Sequence, residues 1–143
     1  MTTLDATKPQ QLIPPGASQI QLELTNMPIR QLSHVLLGRS FVFGLLEDNL
    51  SWCLIRNSFI RSFSFSNSQS LPSSQVSWTR KTAGELLASL DLPASAYLQF
   101  REKPETTEQL VVSGVTRGII ATDSYRNPHI PLAAISYLEL ASI

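Results

Sequence analysis

Two stretches of this chain share one outline, and that repetition limits the folds open to it. Residues 44–65 read GLLEDNLSWCLIRNSFIRSFSF, and residues 118–140 read GIIATDSYRNPHIPLAAISYLEL. Each opens with a glycine and two branched aliphatic residues, passes an acidic turn and ends in alternating apolar residues. Apolar positions recur at a constant spacing of 75 residues: Ile55, Phe59, Ile60, Phe63 and Phe65 match Ile130, Ala134, Ile135, Leu138 and Leu140. The spacing predicts a tandem duplication of one small β unit.

Strand patterns outside these stretches correspond as well. Ile20, Leu22 and Leu24 alternate with polar residues, as in a strand that buries one face. In the second unit, positions 97, 98 and 100 correspond to strand positions 21, 22 and 24 of the first. Long apolar stretches follow at 32–46 and 110–121, and two glycines inside each indicate a bend, a bulge or a turn. Short strands with close turns favour small antiparallel barrels over βαβ units.

One helix is predicted between the two units. Four apolar residues share one helical face at spacings i, i+3, i+4 and i+7: Ala83, Leu86, Leu87 and Leu90. Thr82 and Glu85 have the spacing of a capping box, and Pro93 ends the helix. The apolar face has to be buried, and the surfaces on offer are the units on either side.

The predicted fold is therefore mainly β, with two tandem small barrels related by duplication and joined by one amphipathic helix. The predicted segments are a flexible lead-in at 1–17, a first barrel at 18–65, a serine-rich linker and helix at 66–93, and a second barrel at 94–143.

Composition argues against several functions. Lys plus Arg and Asp plus Glu both number 11, so the overall basic footprint of a typical nucleic-acid binder is missing. No stretch is apolar enough to span a membrane, and the first residues do not read as a secretory signal. One cysteine excludes an intrachain disulfide, which fits a reducing compartment. We predict a cytoplasmic location.

The sequence offers few candidate catalytic residues. Two histidines, His34 and His129, and the single Cys53 lack the spacing of a zinc site, so no metal is predicted. Neither a phosphate-binding glycine motif nor a serine nucleophile elbow occurs, so no cofactor and no enzyme is predicted. An enzyme would need a deep pocket that joins His129 with an acid.

The order of strand, turn, long bent strand, turn, short strand and a closing IPLAAISYLEL strand is similar to small Sm-like and SH3-like barrels. The doubled version, with VSWTRKTAGELLASL between the copies, resembles a set of uncharacterised actinobacterial proteins over about residues 19–141. The resemblance implies two Sm-like or SH3-like barrels. That group carries no established activity to transfer, whereas the Sm group binds RNA through loop residues.

Two functions follow as expectations. The first is a non-enzymatic binding or scaffold module that acts through a protein partner or self-association. The alternative is an Sm-like RNA-binding or regulatory protein, because arginines near aromatic residues can build a stacking platform. The candidate contacts are Arg56, Arg61, Arg117, Arg126, Trp78 and Tyr125. The alternative predicts that the four arginines converge on one face; otherwise they are solvated charges beside partly buried aromatics.

Overall fold

The computed structural model describes residues 2–4, 13, 19–47, 51–66, 76–103 and 106–142. Within them the chain is mainly β with one short helix, as predicted. The first elements are β1 (Thr2–Leu4), β2 (Gln19–Leu24), β3 (Arg30–Leu37), β4 (Phe41–Leu46), β5 (Ser51–Arg56), β6 (Ile60–Ser66) and β7 (Ser77–Trp78). The others are α1 (Ala83–Ala88), β8 (Ala94–Phe100), β9 (Thr107–Thr116), β10 (Ile119–Thr122), β11 (His129–Pro131) and β12 (Ile135–Ser142).

The strands form two arrays with the same internal order. In the first array, β2–β6, the order is β6-β2-β3-β4-β5, and in the second array, β8–β12, it is β12-β8-β9-β10-β11. In each, the fifth strand lies beside the first, and a 3₁₀ turn precedes it, at Asn57–Phe59 and Leu132–Ala134.

The arrays join into one antiparallel sheet of 11 strands, and the described residues contain no closed barrel. Each predicted barrel would close only if its fourth and fifth strands met. The outer edge of β5 is instead paired with β12, from Tyr137 opposite Ile55 to Ala141 opposite Ser51. The expectation of two closed barrels is therefore corrected to two arrays that share one sheet.

The repeated apolar positions occupy matching places. Nine of the ten are buried, and Ala134 is half-buried. The last strand of each array also carries a one-residue bulge, at Arg61 in β6 and at Ser136 in β12. These two residues lie at the same spacing as the apolar pairs, so the constant offset predicted from the sequence extends to the backbone.

The opening glycines of the two sequence repeats do not correspond. Gly44 lies inside β4, opposite Cys53, where a Cβ atom would come within 3.2 Å of Leu32 and Val35. Gly118 lies in the β9–β10 turn with φ +75°, a conformation that favours glycine. Close packing requires a glycine at position 44, whereas a positive φ favours one at position 118. Their match in the sequence is therefore a coincidence.

Helix α1 begins with the predicted capping box. The Oγ1 of Thr82 accepts from the backbone N–H of Glu85 at 3.1 Å, and the Glu85 carboxylate accepts from the Thr82 backbone N–H at 3.2 Å. The buried residues Leu86 and Leu87 lie in the core of the second array. Gly84 packs against the Gly118 turn. The helix therefore belongs mainly to the second array.

The two cores exchange side chains. Tyr137 of β12 lies in the core of the first array, and Phe41, Phe43 and Leu54 lie in the core of the second. Because each core contains side chains from the other array, we expect the two arrays to unfold together.

A half-buried polar cluster lies at this junction. The Tyr137 hydroxyl donates to Oε1 of Glu139 at 2.6 Å and accepts from Nε of Arg30 at 3.0 Å. Burial raises the pKa of that hydroxyl, and it likewise raises the pKa of the Cys53 thiol nearby. Burial is the largest single influence on Arg30 and opposes its charge, but the hydrogen bond with Tyr137 and the electrostatic attraction of neighbouring groups, Glu139 among them, together outweigh it and raise the pKa of the guanidinium. Cys53 is thus the buried core residue that its neighbours predicted.

The predicted segment boundaries stay predictions. Within the predicted lead-in, residues 2–4 form β1 on the edge of β6, and Ile13 is buried. Most of the serine-rich linker, residues 67–75, lies outside the described residues.

Candidate functional site

A cleft opens between the β3–β4 turn and the segment that leads from β7 into α1. Its volume is about 610 Å³, and residues 37–41 line one side, residues 78–83 line the other, and Arg56 enters from the end of β5. We call it the Trp78 cleft. It lies beside the junction of the two arrays, because β5 is the strand that pairs with β12.

The Trp78 cleft is basic. Its lining contains four cationic side chains and no Asp or Glu among the described residues: Arg39, Arg56, Arg80 and Lys81. Thr82, which lines the cleft, is hydrogen-bonded to the carboxylate of Glu85 in the capping box. Charges of one sign in a concave site with partly apolar walls focus the electrostatic potential, even in a protein whose net charge is zero.

Three of these four cationic residues are exposed to solvent. Arg39 lies in the β3–β4 turn, and Arg80 and Lys81 follow β7; all three residues are exposed. Among the described residues none of them forms an ion pair. Their charges are therefore available to a ligand with negative groups.

Arg56 is different, because its guanidinium is already held by the protein. Its Nε donates to the carbonyl of Ile135 at 2.7 Å, and its Nη2 donates to the carbonyl of Leu132. Arg101 donates to the next carbonyl of the same 3₁₀ turn, that of Ala133, at 3.2 Å. Burial, together with the charge of Arg101, lowers the pKa of Arg56. Arg56 thus supplies a fixed positive charge and links the two arrays.

Trp78 is fixed by its backbone. β7 pairs in parallel with β3, opposite Leu37, and the N–H of Thr79 donates to the Leu37 carbonyl at 3.0 Å. β2 pairs with only the first part of β3, so β7 takes the later part. The indole is 46% exposed and faces the cleft. An exposed aromatic ring beside exposed cations is the arrangement that stacks a flat, negatively charged ligand.

The wall opposite Trp78 depends on Gly38. Its N–H donates to the carbonyl of Phe41 at 3.0 Å, and a Cβ atom added there would come 2.2 Å from the buried Phe41 ring. We expect Gly38→Ala to lower the free energy of unfolding by about 1–3 kcal/mol, the usual cost of overpacking. Urea unfolding measures this. Gly114→Ala is the matched control, since nothing lies within 4 Å of its added Cβ; equal losses in both variants would contradict the assignment.

The structure brings together two of the six contacts predicted from the sequence, Arg56 and Trp78, in the Trp78 cleft. Arg61 lies elsewhere, in a shallow depression shared with Glu23, whose carboxylate is 4.0 Å away.

The other three lie on the second array. Arg117 precedes β10 in the β9–β10 turn, whereas Tyr125 and Arg126 follow it in the β10–β11 loop, where Tyr125 is fully exposed. A four-residue strand spans about 13 Å, so Arg117 and Arg126 lie at opposite ends of it. That the four arginines share one ligand face stays a prediction.

Three cleft cations were not among the residues predicted from the sequence: Arg39, Arg80 and Lys81. Arg80 and Lys81 follow Trp78 closely, and that adjacency is a signal that could have identified them. Arg39 gives no such signal, because only the pairing of β7 with β3 brings it to Trp78.

A second depression, of about 290 Å³, places His129 beside Glu102 and Glu108. This is the pairing of a histidine with an acid that an enzyme would require. The described residues of its lining contain no Ser, Thr or Cys to act as a nucleophile. The described parts of the chain contain no group of three or more His, Cys, Asp or Glu that could hold a metal ion.

No helix among the described residues is long and apolar enough to cross a membrane. Comparison of the chain with protein-family models, with curated proteins and with solved structures finds no match.

Proposed function

We propose that this chain is a non-enzymatic binding module of two duplicated Sm-like or SH3-like units, and that its ligand site is the Trp78 cleft. The duplication is supported by the shared strand order and by the matched bulges at Arg61 and Ser136. The matched turn contacts add to this, since the N–H of Thr25 donates to Phe59 as that of Arg101 donates to Ala134.

Single-stranded RNA is the partner that we propose. The observation that carries this is an exposed indole among cations with no acid in the described lining. A base can stack on Trp78 while neighbouring phosphates meet Arg39, Arg80 and Lys81. Stacking on an aromatic ring is tolerant of sequence, and phosphate contacts are electrostatic, so we expect weak sequence preference.

An acidic segment of a protein partner is the second candidate. The same cations would bind its carboxylates, and the low overall charge of the chain allows close protein contacts. Such a segment does not require a stacking surface, and for that reason the exposed indole favours RNA. A cytoplasmic location and the absence of a cofactor remain part of the proposal.

Salt dependence tests the proposal. If the three exposed cations neutralise three phosphates, the logarithm of the affinity falls with the logarithm of salt concentration at a slope of about −2, or roughly 20-fold for a fourfold rise in salt. Removing two charges with Arg80→Gln and Lys81→Gln reduces the slope to about −0.7. Fluorescence anisotropy of a labelled oligouridylate, titrated at several salt concentrations, measures both slopes.

The matched control removes two arginines outside the cleft, with Arg61→Gln and Arg126→Gln. It changes the net charge equally, and we expect the slope to stay near that of the native chain. If both double variants lose the same affinity and salt slope, RNA binds through the overall charge of the chain, and the Trp78 cleft is not the site. Equal competition by polyglutamate would favour an acidic protein segment over RNA.

A further inference from the structure

The junction between the two arrays is a contact between unlike edges. The fourth strand of the first array, β5, pairs with the fifth strand of the second, β12, over five residue pairs. The remaining edges of the arrays are the fifth strand of the first, β6, and the fourth strand of the second, β11. They are the same two kinds of edge. A head-to-tail contact of this type can repeat from one copy to the next.

The β6 edge is not open, because β1 covers it. Thr2, Thr3 and Leu4 pair with Phe65, Ser64 and Phe63. At the spacing of 75 residues, these β6 residues match Leu138–Leu140, which are three of the five residues of β12 that pair with β5. β1 therefore occupies the positions that residues 127–129 of a second copy, which end at the first residue of β11, would use.

The β11 edge is shortened instead. β5 has six residues and no proline, whereas β11 has three residues and ends at Pro131, with Pro128 just before it. Proline has no N–H to donate to a neighbouring strand, and natural sheets use both proline and covering segments to prevent edges from pairing. Pro128 faces β10, because its carbonyl accepts from the N–H of Thr122, so Pro131 is the proline that lies on the free edge.

We propose that β1 is a cap that keeps the chain monomeric, and that the β6 edge beneath it fits β11 of a second copy. Three backbone pairs hold β1, against five in the internal junction, so the cap is the weaker contact. Release of β1 exposes a strand edge of the kind that the chain already pairs internally. Association is then head-to-tail, with one cap displaced for each new contact.

The test replaces residues 2–4 with proline in the full chain (T2P, T3P and L4P), which removes every N–H that β1 can donate. The control, T2V, T3V and L4V, keeps those donors. Sedimentation velocity over a wide range of protein concentration should show monomers for the native chain and the valine control. It should show concentration-dependent oligomers for the proline variant. Adding Pro131→Thr to the proline variant restores a donor on the free edge of β11 and should strengthen the association.

Each other result overturns the proposal. A folded proline variant that stays monomeric shows that the β6 edge does not accept β11. A proline variant that does not fold shows that β1 is part of the core fold and not a cap. Oligomers that are unaffected by Pro131→Thr show that another edge is in use. A native chain that is already oligomeric shows that β1 does not prevent association.

Discussion

Tyr137→Ala is expected to lower the free energy of unfolding by about 3–5 kcal/mol, the range for truncating a large buried aromatic residue. Tyr137 is 0% exposed and belongs to the last strand of the second array, yet it packs in the core of the first. Its loss leaves a cavity and also leaves Arg30 and Glu139 without their shared partner. Urea unfolding monitored by circular dichroism measures the change.

Two variants separate the ring from the hydroxyl. Tyr137→Phe keeps the ring and should cost about 1–3 kcal/mol, because it removes two hydrogen bonds to half-buried charged groups. Tyr125→Ala removes the same side chain from a fully exposed loop position, and its effect should stay within about 0.5 kcal/mol. If Tyr137→Ala costs no more than Tyr125→Ala, the two cores are not joined through Tyr137.

Trp78→Ala is expected to weaken RNA binding by about 1–3 kcal/mol, or roughly 5- to 150-fold, which is the range for losing one stacked base. The salt slope should not change, because the cations of the cleft remain in place. This pattern separates stacking from charge, since Arg80→Gln with Lys81→Gln changes the slope. Anisotropy titrations at two salt concentrations give both quantities.

The control for Trp78 is again Tyr125→Ala. Tyr125 is the other aromatic contact predicted from the sequence, and it lies beside Arg126, outside the Trp78 cleft. Its removal should leave the affinity unchanged. A larger loss with Tyr125→Ala than with Trp78→Ala would move the RNA site to the β10–β11 loop of the second array.

Much of the fold could be predicted from the sequence, because its signals are local. Alternation in Ile20, Leu22 and Leu24 gives the strand β2, and the spacing of Thr82 and Glu85 gives the start of α1. The constant spacing of the repeated apolar residues identifies matching strands. Closure of the barrels could not be predicted, because whether β5 meets β6 or β12 is a choice between distant edges with similar patterns.

Less of the Trp78 cleft could be predicted from the sequence. Net charge is a sum over the whole chain, so it conceals the four cations that folding gathers in one cleft. The sequence suggests that Arg56 is an exposed ligand contact, yet its guanidinium donates to the Leu132 and Ile135 carbonyls at the turn before β12. Trp78 and Arg56, both candidate contacts from the sequence, line the same cleft, but the parallel strand pairing that positions Trp78 has no local sequence signature.

The most direct test of binding at the Trp78 cleft is a nitrogen–proton correlation spectrum of the indole groups during an oligouridylate titration. The chain has two tryptophans, and Trp52 is stacked on Phe43 inside the sheet, with ring centroids 5.2 Å apart. A Trp78→Phe variant assigns the two signals. The Trp78 signal should shift and saturate while the Trp52 signal stays in place. An unmoved Trp78 signal in the presence of bound RNA would contradict the proposed site.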